Sequence, residues 1–232
     1  MGTEPQTRPL LLGHRGSRLK EFPENSMRSF RHALESGLDG FEFDLRVTAD
    51  GRLVCVHDAA IGEYLVSHCD YGTLCNQYSK LVPVPGETIP GLEDVLREFA
   101  SSAYLDVEIK VAGPEKSVLE LLKRYTPQRF VVSSFLAEVV LDVAEADSHI
   151  PLGFIFDDVI GLRTYPNLPV RYLMPRHDLL TRELAEAFHR GGYKVLAWTV
   201  NRSGDMKRLA EWGVDGLISD DPGLLSQTLG RR

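Results

Sequence analysis

Short apolar runs, many of them β-branched, alternate along this chain with segments whose apolar residues recur at helical spacing. Pro9–Gly13 is the first predicted strand. Met27, Phe30, Ala33 and Leu34 then share one face of a predicted helix over Ser26–Gly37, with Gly37 as its stop. In Gly40–Val47, Phe41, Phe43 and Leu45 alternate with Glu42, Asp44 and Arg46, the period of a strand. Asp50-Gly51 supplies a hairpin turn into Arg52–His57. Ala59–Thr88 carries scattered glycines, prolines and polar residues without a sustained period, and we read it as a loop or small excursion. Regularity resumes with a helix at Leu92–Phe99, a strand at Ala103–Lys110, a helix at Glu115–Arg124 and a strand at Arg129–Ser133. A helix at Leu136–Ala146, a strand at Leu152–Phe156, a helical turn at Asp158–Arg163 and a strand at Arg171–Pro175 follow. The series closes with a helix at Arg182–Arg190, a strand at Tyr193–Thr199, a helix at Asp205–Trp212, a strand at Gly216–Ser219 and a tail helix from Pro222.

Setting aside the hairpin partner Arg52–His57, these are eight strands mostly separated by helices, which implies βαβ units and a parallel sheet. Eight such units in roughly 250 residues match the requirement of a (β/α)8 TIM barrel. An open doubly wound sheet is the architectural alternative. No linker or shift of composition divides the chain, so residues 1–232 are expected to form a single domain.

Active sites of this barrel gather where the strands end. His14 and Arg15 end the first strand, Glu42 and Asp44 lie in the second, and Glu108 and Lys110 end the third. Ser133, Ser134, Arg176, His177, Trp198, Asn201 and Asp220 end or follow later strands. That concentration of polar residues at one rim exceeds what folding requires.

Residues two apart in a strand share a face and lie about 7 Å apart along it. Glu42 and Asp44 therefore point the same way, as do Asp106, Glu108 and Lys110. Three acids inside one barrel would raise at least one pKa or recruit a cation. Oxygen-only donors suit one hard divalent ion, Mg2+ or Ca2+; an internal ion-pair network with Lys110 and Arg46 is the alternative. His14 and His57 flank the acids, and chemistry near neutral pH wants one proton donor and one acceptor. His32, His68, His149 and His189 sit in helix or loop contexts and are not assigned; His177 is left open. Arg15 and Lys110 offer cations for phosphate oxygens. Trp198 is either a core residue or a wall for a leaving alcohol. The acids of the run Asp215–Pro222 are expected to be structural.

Bulk properties narrow the partners. Net charge is −7, which argues against nucleic acid and anionic membranes while leaving room for a small anionic substrate. Three cysteines without a Cys-x-x-Cys pair do not make a disulfide framework or thiolate zinc site. No apolar stretch approaches the roughly 20 residues of a membrane span, and the polar start is unlike a secretory signal. A cytoplasmic location is the expectation; oligomeric state is not read.

Taken together, His14-Arg15-Gly16, Pro23-Glu24-Asn25-Ser26, Phe30, Glu42-x-Asp44, Thr48-x-Asp50-Gly51 and His57-Asp58 closely resemble the glycerophosphodiester phosphodiesterase family. Further matches are Ile89-Pro90-x-Leu92-x-x-Val95-Leu96, Glu108-Ile109-Lys110, Ser134-Phe135, Trp198-Thr199-Val200-Asn201 and Asp215-Gly216…Ser219-Asp220-x-Pro222. The resemblance spans nearly the whole chain. It implies a (β/α)8 barrel that splits a small-molecule glycerophosphodiester into glycerol 3-phosphate and an alcohol. It further implies His14 and His57 as the acid–base pair, and Glu42, Asp44 and Glu108 as holders of one divalent cation. Arg15 and Lys110 would contact phosphate, and Trp198 would line the substrate pocket. Departures fall at the rim: Ser17–Phe22 is slightly long, Leu-x-Arg-Thr-Thr is missing after Asp58, and Ala59–Thr88 is short. Related barrels act on lysophospholipids or release cyclic products, a second reading of the same site. A non-catalytic barrel that only binds phosphodiesters would carry damaged histidines or acids, and this sequence keeps them.

Overall fold

The computed structural model describes residues 8–82, 84 and 86–230. Its strands are β1 (Leu10–Gly13), β2 (Gly40–Val47), β3 (Leu53–Cys55), β4 (Ala60–Ile61), β5 (Tyr64–Leu65), β6 (Tyr104–Ile109), β7 (Arg129–Ser134), β8 (Leu152–Phe156), β9 (Tyr172–Pro175), β10 (Lys194–Ala197) and β11 (Gly216–Ser219). The helices are α1 (Met27–Glu35), α2 (Tyr71–Leu81), α3 (Leu92–Phe99), α4 (Glu115–Tyr125), α5 (Ala137–Ala146), α6 (Gly161–Thr164), α7 (Arg182–Arg190), α8 (Ser203–Glu211) and α9 (Pro222–Leu229).

Eight strands run parallel in the cyclic order β1-β2-β6-β7-β8-β9-β10-β11, and β1 closes the ring by pairing with both β2 and β11. The sheet is a closed barrel, so the open-sheet alternative is ruled out. β3 adds antiparallel to β2, with Leu45 opposite Cys55. It is the hairpin partner expected from Asp50-Gly51.

Alternation sorts the apolar residues into two layers. Leu12, Tyr104, Val131, Ile155, Tyr172, Met174, Leu196 and Ile218 fill the barrel. Leu11, Phe41, Phe43, Leu105, Val107 and Leu217 face the surrounding helices with Phe30, Leu96, Val140 and Phe188. Each fully buried side chain of this size contributes about 1.5–3 kcal/mol. Gly40 is required by crowding: a Cβ there would lie 1.8 Å from the Tyr104 carbonyl oxygen. α1 starts on a capping box in which Ser26 and Ser29 satisfy each other's backbone N–H groups.

Of the two readings of Ala59–Thr88, a loop or a small excursion, the structure has the excursion: it holds the β4–β5 hairpin and an 11-residue helix, α2, which the pattern did not predict. Asp70 caps it by accepting from the Thr73 N–H at 2.8 Å. Within α2 the one fully enclosed residue is Leu74, packed in a satellite cluster with Val54, Ile61, Val66 and Ile89. Tyr71, Cys75 and Tyr78 pack around Leu74 at helical spacing, so the period is present but short and carried by half-buried Tyr and Cys. Among the described residues, no helix is long and apolar enough to cross a membrane.

Candidate active site

β2 and β6 pair with Glu42 beside Asp106 and Asp44 beside Glu108. Because all four lie on the inward face, parallel register alone stacks their carboxyls at the top of the barrel. Carboxylate oxygens of Glu42, Asp44 and Glu108 come within 4.8 Å of one another, and all three residues are buried. Asp106 lies one step deeper and accepts from the Ser133 hydroxyl at 2.6 Å.

The neighbours treat these acids unequally. Asn25, in a left-handed conformation with φ 55°, donates its side-chain amide to Asp44 Oδ2 at 2.7 Å and accepts from the Asp44 N–H at 3.1 Å. Burial works to raise the Asp44 pKa, yet Lys110, Arg15 and the Asn25 bond hold it below the ordinary value. Glu42 accepts the Arg15 backbone N–H at 2.9 Å through Oε2, while its buried Oε1 has no hydrogen-bond partner. Burial and the adjacent Asp44 charge push Glu42 well above the usual carboxylate range. The same causes raise Glu108 to about 8, against Lys110, and burial raises Asp106 to about 7.

An unpartnered buried carboxylate oxygen beside two further acids is a costly arrangement. The donor set is all oxygen, so it suits a hard divalent cation. Lys110 compensates in part, with Nζ 2.7 Å from Glu108 and 3.4 Å from Asp44. Arg46 does not join that network; its Nε donates to the His57 carbonyl at 2.8 Å.

Each candidate histidine rests Nδ1 on a carboxylate. His14 pairs with Asp220 at 2.6 Å, and His57 with its neighbour Asp58 at 2.7 Å. The remaining Nε2 of His14 stands 3.9 Å from Glu42. Burial holds the His57 pKa below its ordinary value, against the pull of Asp44 and Asp58. Burial works to raise Asp220 too, but the bond from His14 keeps it low. Arg15, left-handed at φ 52°, donates Nη1 to Glu24 at 2.7 Å and places Nε 3.3 Å from Asp44. Gly16 must be glycine: its φ is +79°, and a Cβ would meet the Ser29 backbone at 2.6 Å.

A cavity of about 160 Å³ opens over the cluster, lined by His14, Arg15, Glu42, His57, Glu108 and Lys110 on the polar side. Phe135, Ile155, Met174, Trp198 and Ile218 form its apolar side, and Asp106 its floor. Asp44 lies just behind, reaching the group through Glu108 and Lys110. Trp198 is fixed by donating Nε1 to the Met174 carbonyl at 2.8 Å. It meets Phe135 edge-on at 5.4 Å between centroids.

The structure thus brings together His14, Arg15, Glu42, Asp44, His57, Glu108, Lys110 and Trp198. His177 does not line the cavity; its backbone N–H donates to the Trp198 carbonyl. His189 pairs with Asp215 instead. Four residues present in the sequence motifs carry roles that the sequence did not assign: Glu24 and Asn25 hold Arg15 and Asp44, Phe135 forms part of the wall, and Asp220, placed at the rim but expected to be structural, stands behind His14. Parity contained a signal for two of them. Ser133 and Ile218 face inward, so Phe135 and Asp220, two residues further on, do so as well.

The model of the glycerophosphoryl diester phosphodiesterase family matches residues 14–224. A glycerophosphodiester phosphodiesterase of Caldanaerobacter subterraneus is 32% identical over 92% of this chain and 94% of its own length. A human lysophospholipase D is 26% identical over 91% of this chain and 83% of its own. A phosphodiesterase of Oleispira antarctica, solved with its product sn-glycerol-3-phosphate, superposes with a TM-score of 0.83 at 22% identity, covering 97% and 98% of the two chains. The closed barrel, the match over residues 14–224 and the bacterial relative converge: this chain belongs to the glycerophosphoryl diester phosphodiesterase family.

Proposed function

We propose that this protein hydrolyses glycerophosphodiesters to glycerol 3-phosphate and an alcohol, by two-histidine acid–base chemistry at a divalent-cation site. One observation carries the reading. A single cavity of about 160 Å³ is lined by two imidazoles, each with Nδ1 on a carboxylate, and by two cations, beside three clustered acids.

Glu42, Asp44 and Glu108 would hold Mg2+ or Ca2+, which when bound supplies Lewis-acid stabilisation of phosphoryl oxygens. Arg15 and Lys110 bind the phosphodiester and offset the charge that grows in the transition state. With Nδ1 engaged, each histidine presents Nε2 for proton transfer. One accepts the proton of the nucleophile and the other donates to the leaving oxygen. The nucleophile is the neighbouring glycerol hydroxyl, giving a cyclic phosphate that water opens in a second step. Trp198 and Phe135 wall the leaving alcohol.

The decisive assay measures glycerol 3-phosphate release from a panel of headgroups, with Mg2+, with Ca2+ and with neither. No release from any headgroup under any of these conditions would refute the proposal. Similarity to a lysophospholipase D supports a second reading on lysophospholipids. Phosphorus NMR of products from glycerophosphocholine and lysophosphatidylcholine separates the two.

A further inference from the structure

We infer that Asp220, held in place by Asn201, is a positioning residue that locks His14 in the Nδ1–H tautomer and leaves Nε2 open to the reacting groups. This rests on the two-histidine reading above and extends it to residues outside the predicted site.

Register creates the pair. Gly13 lies beside Ser219 in the parallel β1–β11 ladder, and the His14 N–H continues that ladder to the Ser219 carbonyl at 2.8 Å. The next inward positions, His14 and Asp220, are therefore neighbours on the rim. Their side chains meet at 2.6 Å between Nδ1 and Oδ1.

Asn201 sets the far side of the carboxylate. Its Oδ1 accepts from the Asp220 N–H at 3.0 Å and from the Ser219 hydroxyl at 3.1 Å. Two donors on Oδ1 fix the amide orientation, so Nδ2 must face Asp220 Oδ2, to which it donates at 2.6 Å. The Asp220 carbonyl also accepts the Arg18 N–H at 3.0 Å. With its carboxylate held by Asn201, four residues beyond β10, and its backbone tied to the His14–Arg18 loop, Asp220 has little freedom to turn. An ionised carboxylate only accepts, so the proton of this bond belongs to His14 Nδ1.

His57 is built differently. Its partner Asp58 is the next residue and its side chain is 80% exposed, against 24% for Asp220. Among the described residues, only His57 hydrogen-bonds the Asp58 carboxylate. The histidine next to Glu42 is thus held in one tautomer by the fold, and the other by a loose local contact.

The substitution D220N converts the acceptor into an amide. Asn201 Nδ2 still donates to the far side, so the D220N oxygen is drawn there and its NH2 turns toward His14. Two donors then oppose each other, and the ring must shift its proton to Nε2. We expect kcat to fall about a hundredfold, in the range of lost acid–base catalysis, with KM changed less than about threefold. The double substitution D220N/N201D reverses the pair: the introduced carboxylate takes the amide NH2, and the D220N oxygen again accepts from His14. It should recover the Nδ1–H tautomer and much of kcat.

Nitrogen-15 NMR of the imidazoles in the cation-free protein reads the tautomer directly, alongside kcat and KM. A D220N protein that keeps Nδ1–H, or turns over within threefold of the parent, overturns the inference. So does a double variant that recovers neither. If D220N does not fold, N201A serves in its place, since it leaves the carboxylate but removes its hold; unchanged His14 order and kcat there overturn the inference. An H14A control separates the claims. Normal turnover by H14A ends the two-histidine reading, whereas the NMR tautomer in D220N still judges whether Asp220 positions the ring.

Discussion

His14 and Glu42 meet at 3.9 Å between an imidazole nitrogen and a carboxylate oxygen, so a proposed proton carrier stands next to a proposed cation ligand. Replacing His14 or His57 with Ala should lower kcat at least about a hundredfold, the low end for a lost acid or base. Steady-state kinetics check it, and near-normal turnover by either variant would remove that histidine from the scheme. The acids make a second, independent prediction. Burial and the Asp44 charge push the Glu108 carboxyl up to about 8 against an ordinary 4.5, so the fold favours a proton there that the unfolded chain lacks between those values. Folding of the cation-free protein therefore loses this contribution as pH rises from about 4.5 through about 8. A divalent cation held by Glu42, Asp44 and Glu108 would require Glu108 to be ionised. The rise in melting temperature on adding Mg2+ or Ca2+ should accordingly be larger at pH 8 than at pH 6; an equal rise at both would contradict the cation assignment. At this scale the residue types that meet at the cavity could be read, since strand-end positions and strand alternation set where they face. Their partners could not, because Asn25 and Asp220 reach the site by crossing from other segments.

At the scale of elements, strand alternation was the dependable signal. It placed Glu42 with Asp44 and Glu108 with Lys110 on shared faces before any contact was known, and the β2–β6 register then stacked the two pairs. α2 shows where pattern stops. Its side chains Tyr71, Leu74, Cys75 and Tyr78 pack on the small cluster around Val54 and Ile89 instead of the barrel. The apolar stripe is correspondingly short and mixed with polar residues. The available cues were Asp70 as an N-cap and Tyr71, Leu74, Cys75 and Tyr78 behind it at i, i+3, i+4 and i+7. Leu74 is fully enclosed, so Leu74→Ala should cost about 2–5 kcal/mol of stability. Since α2 contributes no residue to the cavity, kcat should stay within about twofold. Urea melts and kinetics on the same sample test both; a collapse of kcat with the fold intact would show that the excursion shapes the site.

For the whole molecule, the apolar packing inside and around the barrel is independent of the carboxylate cluster, which sits above it at the rim. Chelation should therefore abolish turnover while far-UV circular dichroism stays unchanged, and adding back Mg2+ or Ca2+ should restore activity. Full activity in excess EDTA would count against the cation, and loss of the dichroism signal would show that it also supports the fold. Strand number, helix alternation and the barrel were all written in local pattern, because periods of two and of about 3.6 residues survive without long-range contacts. Closure of β1 onto β11, the pairing of His14 with Asp220 and the clamp of Asn25 on Asp44 were not. Those depend on register between segments up to 206 residues apart, and a sequence records which residues are present long before it reveals which of them the closed sheet will set side by side.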